Sequence, residues 1–246
     1  MKIGFFLSLS SALLLVACVG RSVPEIPSTV IDAQQRFEGD STFYGLACDG
    51  CNDTILVLLH DTAHDPDTFN ILEASRRQRV FGALNIGDKV GVLLNSEDST
   101  VADIVVDLES MRGAWCYKAM PTLRRRADIP DVLRALPDFL RDSLFVPREF
   151  GFQIIGERNV TPIGRYRAPL TSDEELPVEY PTPKRYRDWR LFNGRLILSE
   201  TKLDSLGQQR VTHSDTAEFV MLMPDSLVLR FSDGVHSYYR KQNTEE

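Results

Sequence analysis

The sequence predicts a mainly β protein with two small antiparallel β-barrels and a short helical insert. Five strand-like segments precede residue 109. Alternating strands separated by tight-turn pairs such as Asn193-Gly194 follow residue 185. Between them, Met111–Met120 opens the second domain, and period-2 alternation puts Trp115 and Tyr117 on one face and Cys116 on the other.

Residues 1–17 have the pattern of a targeting segment. Lys2 precedes an apolar run, Ile3–Val16, which is shorter than the roughly 20 residues that a membrane-spanning helix needs and fits a signal peptide. The run ends in Leu15-Val16-Ala17-Cys18, which resembles the lipobox of bacterial lipoproteins. The resemblance implies cleavage before Cys18 and acylation of that residue, with an ordinary secretory signal as the alternative. We therefore expect a lipid anchor in the cell outer membrane, on its periplasmic face, because no acidic run follows Cys18.

The charge of the chain limits its partners. Formal net charge is −7, and removal of residues 1–17 with Lys2 leaves 27 basic and 35 acidic residues. This acidic balance argues against nucleic acid, whose phosphates are bound by cationic surfaces. Residues 18–35 contain Pro24 and Pro27 and few large apolar side chains, which is typical of a tether between the lipid and the first domain.

Residues 36–108 form the first predicted domain. It has five predicted strands, which are Thr42–Ala47, Thr54–His60, Thr68–Leu72, Lys89–Leu94 and Thr100–Leu108. One helical turn, Glu73–Arg79, lies between the third and fourth strands. This arrangement resembles an OB-like barrel, a likeness of fold that carries no function.

Residues 109–243 form the second predicted domain. Its helical insert, Ile129–Phe145, carries two apolar stripes, which we expect to lie across one end of the barrel as a plug or as a lid over a ligand pocket. The tail then gives consecutive hairpins, typical of an up-and-down barrel, with turns at Asn193-Gly194, Pro224-Asp225 and Asp233-Gly234.

The ends of this second domain resemble a known superfamily. Gly113-Ala114-Trp115 opens its first strand, its last strand ends in Tyr238-Tyr239-Arg240, and the tail reads DWxLxxGxLILS…DSLVLxxxDGxxxYxR. These features resemble the lipocalin or calycin superfamily, in particular lipocalin-like domains of Gram-negative lipoproteins. The resemblance implies that Arg240 packs across Trp115 and closes the base of the barrel; it implies no catalytic residue.

Two functions remain open for such a barrel. It could bind a small apolar ligand, or both barrels could be filled by side chains in a structural or interaction protein of the envelope. The side chains expected to point inward decide between them, and they are Trp189, Leu196, Leu198, Phe219, Met221, Leu227, Leu229 and Phe231.

Cys48-Asp49-Gly50-Cys51 is the sharpest local motif. A local disulfide is the expected state outside the cytoplasm, and a copper or zinc site is the alternative. The motif is similar to that of copper-associated envelope-stress lipoproteins, where it belongs to a lipocalin-like first domain. Redox catalysis is disfavoured, because a strand and not a helix follows Cys51.

No pattern in the sequence predicts an enzyme. His60 and His64 belong to a turn after a strand, and Thr212-His213-Ser214-Asp215 would alternate between two faces of a strand. The sequence contains no nucleophile elbow and no phosphate-binding glycine motif. We therefore expect a non-catalytic protein without a required cofactor.

Overall fold

The computed structural model describes residues 37–124, 129–164, 178–205 and 207–242. The predicted signal peptide, the tether and Cys18 lie outside these residues. The elements in chain order are β1 (Thr42–Ala47), β2 (Ile55–Leu59), β3 (Asp67–Asn70), α1 (Leu72–Arg76), β4 (Val80–Phe81), β5 (Lys89–Leu94), β6 (Ala102–Asp107), α2 (Leu108–Met111), β7 (Gly113–Ala119), β8 (Thr122–Leu123), α3 (Ile129–Ala135), α4 (Asp138–Leu144), β9 (Arg148–Ile155), β10 (Asn159–Ile163), β11 (Val178–Glu179), β12 (Asp188–Phe192), β13 (Arg195–Leu203), β14 (Gln209–Leu222), β15 (Ser226–Phe231) and β16 (Gly234–Lys241). No helix in these ranges is long and apolar enough to cross a bilayer.

The N-terminal strands form a six-stranded sheet in the order β3-β2-β1-β5-β6-β4. The five predicted strands are present, and the sixth, β4, lies parallel to β6 after α1. A second closed barrel is not confirmed. Between β3 and the start of β6 the strands meet only at one parallel bridge, which joins Asn70 to Val101.

The C-terminal strands form a closed barrel of eight strands, β10-β12-β13-β14-β15-β16-β7-β9. The mainly β class and this barrel are therefore confirmed. All its pairings are antiparallel, and the predicted turns join β12 to β13, β14 to β15 and β15 to β16. At the first of these turns Asn193 and Gly194 have φ values of 49° and 71°, the left-handed conformation that a two-residue hairpin requires.

Large apolar side chains fill most of the barrel. Six of the eight side chains expected to point inward are buried, and Phe219 is half-buried with its ring 5.3 Å from that of Phe81. The prediction is wrong for Met221, which is 41% exposed. The register of β14 shifts between Phe219 and Met221, and this β-bulge turns Met221 outward and Leu222 inward.

The N-terminal sheet closes one end of the barrel. Tyr44, Phe81 and Val106 belong to the same buried cluster as the barrel interior. The β12–β13 turn is held there by the Asn193 amide, which donates to Asp40 Oδ1 at 3.1 Å and to Thr42 Oγ1 at 3.0 Å. The two sheets therefore share one core, and we call this end of the barrel the closed end.

The helical insert is not the plug that its apolar stripes suggest. Leu133 and Leu136 are half-buried, whereas Phe139 is 70% and Leu140 40% exposed. No residue of α4 is buried. The insert is split into two seven-residue helices, and in the second of them Phe139 and Leu140 face solvent while Leu144 is half-buried.

Candidate functional site

Arg240 and Trp115 pack against each other at the closed end of the barrel, on the neighbouring strands β16 and β7. The two residues are paired in the register of β16 and β7, and the guanidinium carbon lies 4.2 Å from the centroid of the fully buried Trp115 ring. Trp115 Nε1 donates to the Met111 carbonyl at 2.8 Å. The guanidinium donates to the carbonyl of Ser110 at 2.7 Å and to those of Arg112 and Pro224. The expected packing pair is therefore in contact, and it ties α2 to the β14–β15 turn.

Gly113, two residues before Trp115, leaves the space that the Arg240 guanidinium occupies. Its φ is +129°, and a Cβ on it would collide with the Arg240 guanidinium. The Gly-x-Trp motif thus leaves room for the arginine that covers the tryptophan.

The opposite end of the barrel holds a cavity of about 290 Å³, and we call it the open end. Its walls come from β7, β9, β15 and β16, together with the segment from Pro181 to Tyr186 that crosses the mouth. Most of the large lining side chains are aromatic. They are Tyr117, Phe152, Tyr186, Phe231 and Tyr238.

Tyr238 stands at the centre of these rings. Its ring centroid lies 5.2 Å from that of Phe152 and 5.8 Å from that of Tyr117, both in edge-to-face geometry. Phe152 in turn contacts Tyr186 at 6.1 Å. Edge-to-face rings present both hydrogen-rich edges and electron-rich faces to a molecule in the cavity.

A half-buried carboxylate lies at one side of this aromatic wall. Asp215 faces inward opposite Leu198, accepts a 2.7 Å hydrogen bond from the Tyr186 hydroxyl and lies 3.0 Å from Lys184 Nζ. Burial raises the pKa of Asp215, but the hydrogen bonds from Tyr186 and Lys184 and the positive charge of Lys184 together lower it below its ordinary value of 3.8. Burial and the bond to Asp215 raise the pKa of Tyr186. At neutral pH Asp215 and Lys184 therefore form an ion pair in the wall, and Tyr186 is an uncharged phenol.

The hydroxyl of Tyr238 is different, because it has no hydrogen-bond partner among the described residues. The residue is 8% exposed and lines the cavity. Tyr117 is half-buried, and its hydroxyl also has no partner in the described part of the chain. Burial raises the pKa of both groups, so each is a neutral donor and acceptor. Both side chains line the cavity, and each hydroxyl can donate a hydrogen bond to a ligand and accept one from it, so these are the polar groups that we expect to contact a ligand.

Cys48 and Cys51 are not bonded to each other in the structure. The Cys48 thiol lies 3.6 Å from the Leu46 carbonyl, and the Cys51 thiol 3.4 Å from that of Val57. Oxidation of the pair to a disulfide stays a prediction. Cys51 also lines a groove of about 450 Å³ between the N-terminal sheet and β14.

His60 and His64 contact residues other than the two cysteines of this motif. The His60 ring packs on Phe43 at 4.9 Å, and exposed His64 pairs with Asp61 at 3.1 Å. Within the residues that the structure describes, no group of three or more His, Cys, Asp or Glu side chains could hold a metal ion.

Sequence reasoning missed Lys184, Tyr186 and Asp215 as a set. The sequence indicates Asp215 only within Thr212-His213-Ser214-Asp215, as one of several triad residue types. The available signal was the alternation of β14, where Asp215 shares the inward face with Ala217. No protein family model, curated protein or solved structure matches the chain.

Proposed function

We propose that this chain is a lipoprotein of the cell outer membrane, anchored at Cys18 on the periplasmic face, whose lipocalin-like barrel binds one small apolar ligand with a polar group. The observation that carries this proposal is the aromatic cavity at the open end, lined by the Tyr238 hydroxyl, which bonds to none of the residues that the structure describes. Binding pockets are mostly apolar and contain a few well-placed polar groups, and this cavity has that composition.

The volume of the cavity limits the ligand. About 290 Å³ is roughly the volume of ten water molecules, near the lower end of small-molecule pockets. The rest of the barrel interior, between this cavity and the closed end, is filled by buried side chains such as Trp189, Leu196 and Leu229. The ligand is therefore a single ring system or a short chain held at the mouth.

The filled lower barrel also supports the second candidate, a structural or interaction protein of the envelope. In that case the N-terminal unit, which we propose to be OB-like from its strand order and the Asn70–Val101 bridge, serves to present a surface. The two candidates differ in whether the cavity takes up a ligand.

A copper-binding role for the CxxC is a third candidate. Cys51 shares its groove with Met221 and Met223, both exposed. Thiolate and thioether sulfurs are the soft ligands that select Cu(I), and zinc would be held by the thiolates. None of the three candidates requires a catalytic residue.

Replacing Tyr238 with phenylalanine is expected to weaken binding of 1-naphthol, an aromatic alcohol, about fivefold, because one hydrogen bond to the ligand is lost. The free energy of unfolding should stay within about 0.5 kcal/mol of wild type, since the hydroxyl makes no hydrogen bond to the described part of the chain. Fluorescence titration and urea unfolding measure the two quantities.

Tyr186→Phe is the matched control. It removes the same atom, but that hydroxyl is bonded to Asp215, so the free energy of unfolding should fall by about 1–3 kcal/mol. If wild type shows no saturable binding of 1-naphthol or of 1-octanol, the ligand-binding proposal is wrong and the structural candidate replaces it.

Cys18→Ser is expected to abolish incorporation of radioactive palmitate into the protein in a Gram-negative host, because the acylated thiol is gone. Membrane fractionation should then release the variant, as the remaining chain lacks its lipid. Wild-type protein that incorporates no label would contradict the anchor and favour an ordinary secretory signal.

A further inference from the structure

We propose that the open end of the C-terminal barrel docks on an anionic lipid surface through exposed apolar side chains around its mouth. This docking surface consists of α4, the β7–β8 connection and the β13–β14 tip. It is distinct from the ligand cavity and adds a contact that a lipid anchor alone does not provide.

Exposed apolar side chains concentrate at this end. Of thirteen large apolar side chains that are exposed among the described residues, eight belong to segments at the open end. The most exposed are Phe139 of α4 and Leu203 at the β13–β14 tip, each 70% exposed. Clustered exposed apolar side chains are typical of interaction sites.

The topology places these segments together. β7 starts at the closed end beside Arg240, so the β7–β8 connection lies at the opposite end. β13 starts at the Asn193-Gly194 turn, which is bound to the N-terminal sheet, and therefore runs to the open end at Leu203. The β8–β11 pair and the Tyr180 hydroxyl, which donates to the Val146 carbonyl at 2.6 Å, join α4 and the start of β9 to the same end.

The charge around these side chains favours an anionic surface. The described residues from Lys118 to Arg148 carry five basic and three acidic side chains, in a chain whose net charge is −7. Apolar side chains flanked by an excess of Lys and Arg are the pattern of proteins that lie on anionic bilayers.

The position of the proposed anchor is compatible with this orientation. The described chain begins at Phe37, whose ring stacks under Arg190 at 4.0 Å. Eighteen residues lie between Cys18 and Phe37, so this part of the chain reaches at most about 65 Å. The nine residues of β13 span about 30 Å, so an anchor at Cys18 leaves the open end free to face the same membrane.

Vesicle sedimentation of the lipid-free mature chain tests this inference. The protein is residues 18–246 with Cys18→Ser, which contains every described residue, so binding does not depend on the anchor. We expect it to sediment with vesicles of phosphatidylethanolamine and phosphatidylglycerol, to bind pure phosphatidylcholine less, and to dissociate at high salt. Phe139→Ser with Leu203→Ser should lower the partition coefficient at least about tenfold.

Ile86→Ser with Met223→Ser is the matched control. Ile86 is 72% and Met223 52% exposed, and both lie away from the open end, so this variant should bind as wild type does. No sedimentation of wild type, or an equal loss in both variants, would overturn the inference. A concentration-dependent dimer that Phe139→Ser/Leu203→Ser abolishes would also overturn it and identify a second copy as the occupant. Titration of each protein with 1-naphthol separates loss of docking from loss of the cavity.

Discussion

Replacing Trp115 with alanine is expected to lower the free energy of unfolding by about 3–5 kcal/mol. The indole is fully buried at the closed end, where the N-terminal sheet, α2 and the barrel meet, so the space that it leaves cannot be filled by solvent or by a small movement of one loop. Its Nε1 donates to the Met111 carbonyl, which would lose its partner.

Urea unfolding measures this loss, and the second tryptophan provides an internal probe. The chain has two tryptophans, so emission in the variant reports Trp189 alone, inside the same barrel. Gln209→Ala, at an exposed position of β14, is the control for a substitution without packing consequences. A loss below about 1 kcal/mol for Trp115→Ala would contradict the role of the indole in the shared core.

Arg240→Met is expected to cost about 3 kcal/mol of unfolding free energy. Methionine keeps much of the apolar volume but loses the donors to three carbonyl oxygens, at Ser110, Arg112 and Pro224. It also loses the cation–π contact with Trp115. Arg240→Lys should recover less than half of this loss, because an ammonium group lacks the planar fork that serves several carbonyls at once.

A double-mutant cycle of Arg240→Met with Trp115→Phe measures the coupling between the two side chains. Residues in direct contact usually show a coupling energy of about 0.5–3 kcal/mol, and we expect about 1 kcal/mol for this stacked pair. Strict additivity would show that the guanidinium acts through the carbonyls alone and that its stacking on Trp115 contributes nothing.

Local turn chemistry explains why most strands were predictable. Asn193-Gly194 and Asp233-Gly234 tolerate the backbone of a tight hairpin. One strand at each turn, β12 or β15, alternates between buried and more exposed side chains, so the pairing follows from the sequence. The contact between Trp115 and Arg240 came from a resemblance and not from spacing. Its physical basis, the room left by Gly113, is visible only with the coordinates.

Features that depend on distant segments were not predictable. Met221 has the right parity for the core, but an irregularity in pairing with β15 turns it outward. β4 is two residues long, and it is a strand only because it pairs with β6. Lys184 and Asp215 are 31 residues apart and meet because the segment after β11 crosses the mouth. Each of these depends on tertiary contacts, which a local pattern does not contain.

The N-terminal sheet closes one end of the barrel, and the cavity opens at the opposite end. With Trp115, Arg240 and the shared core blocking the far end, a molecule in the cavity has no through-route. For the ligand that we propose, entry and release therefore use the same open end of the barrel, and a surface that covers this end controls both.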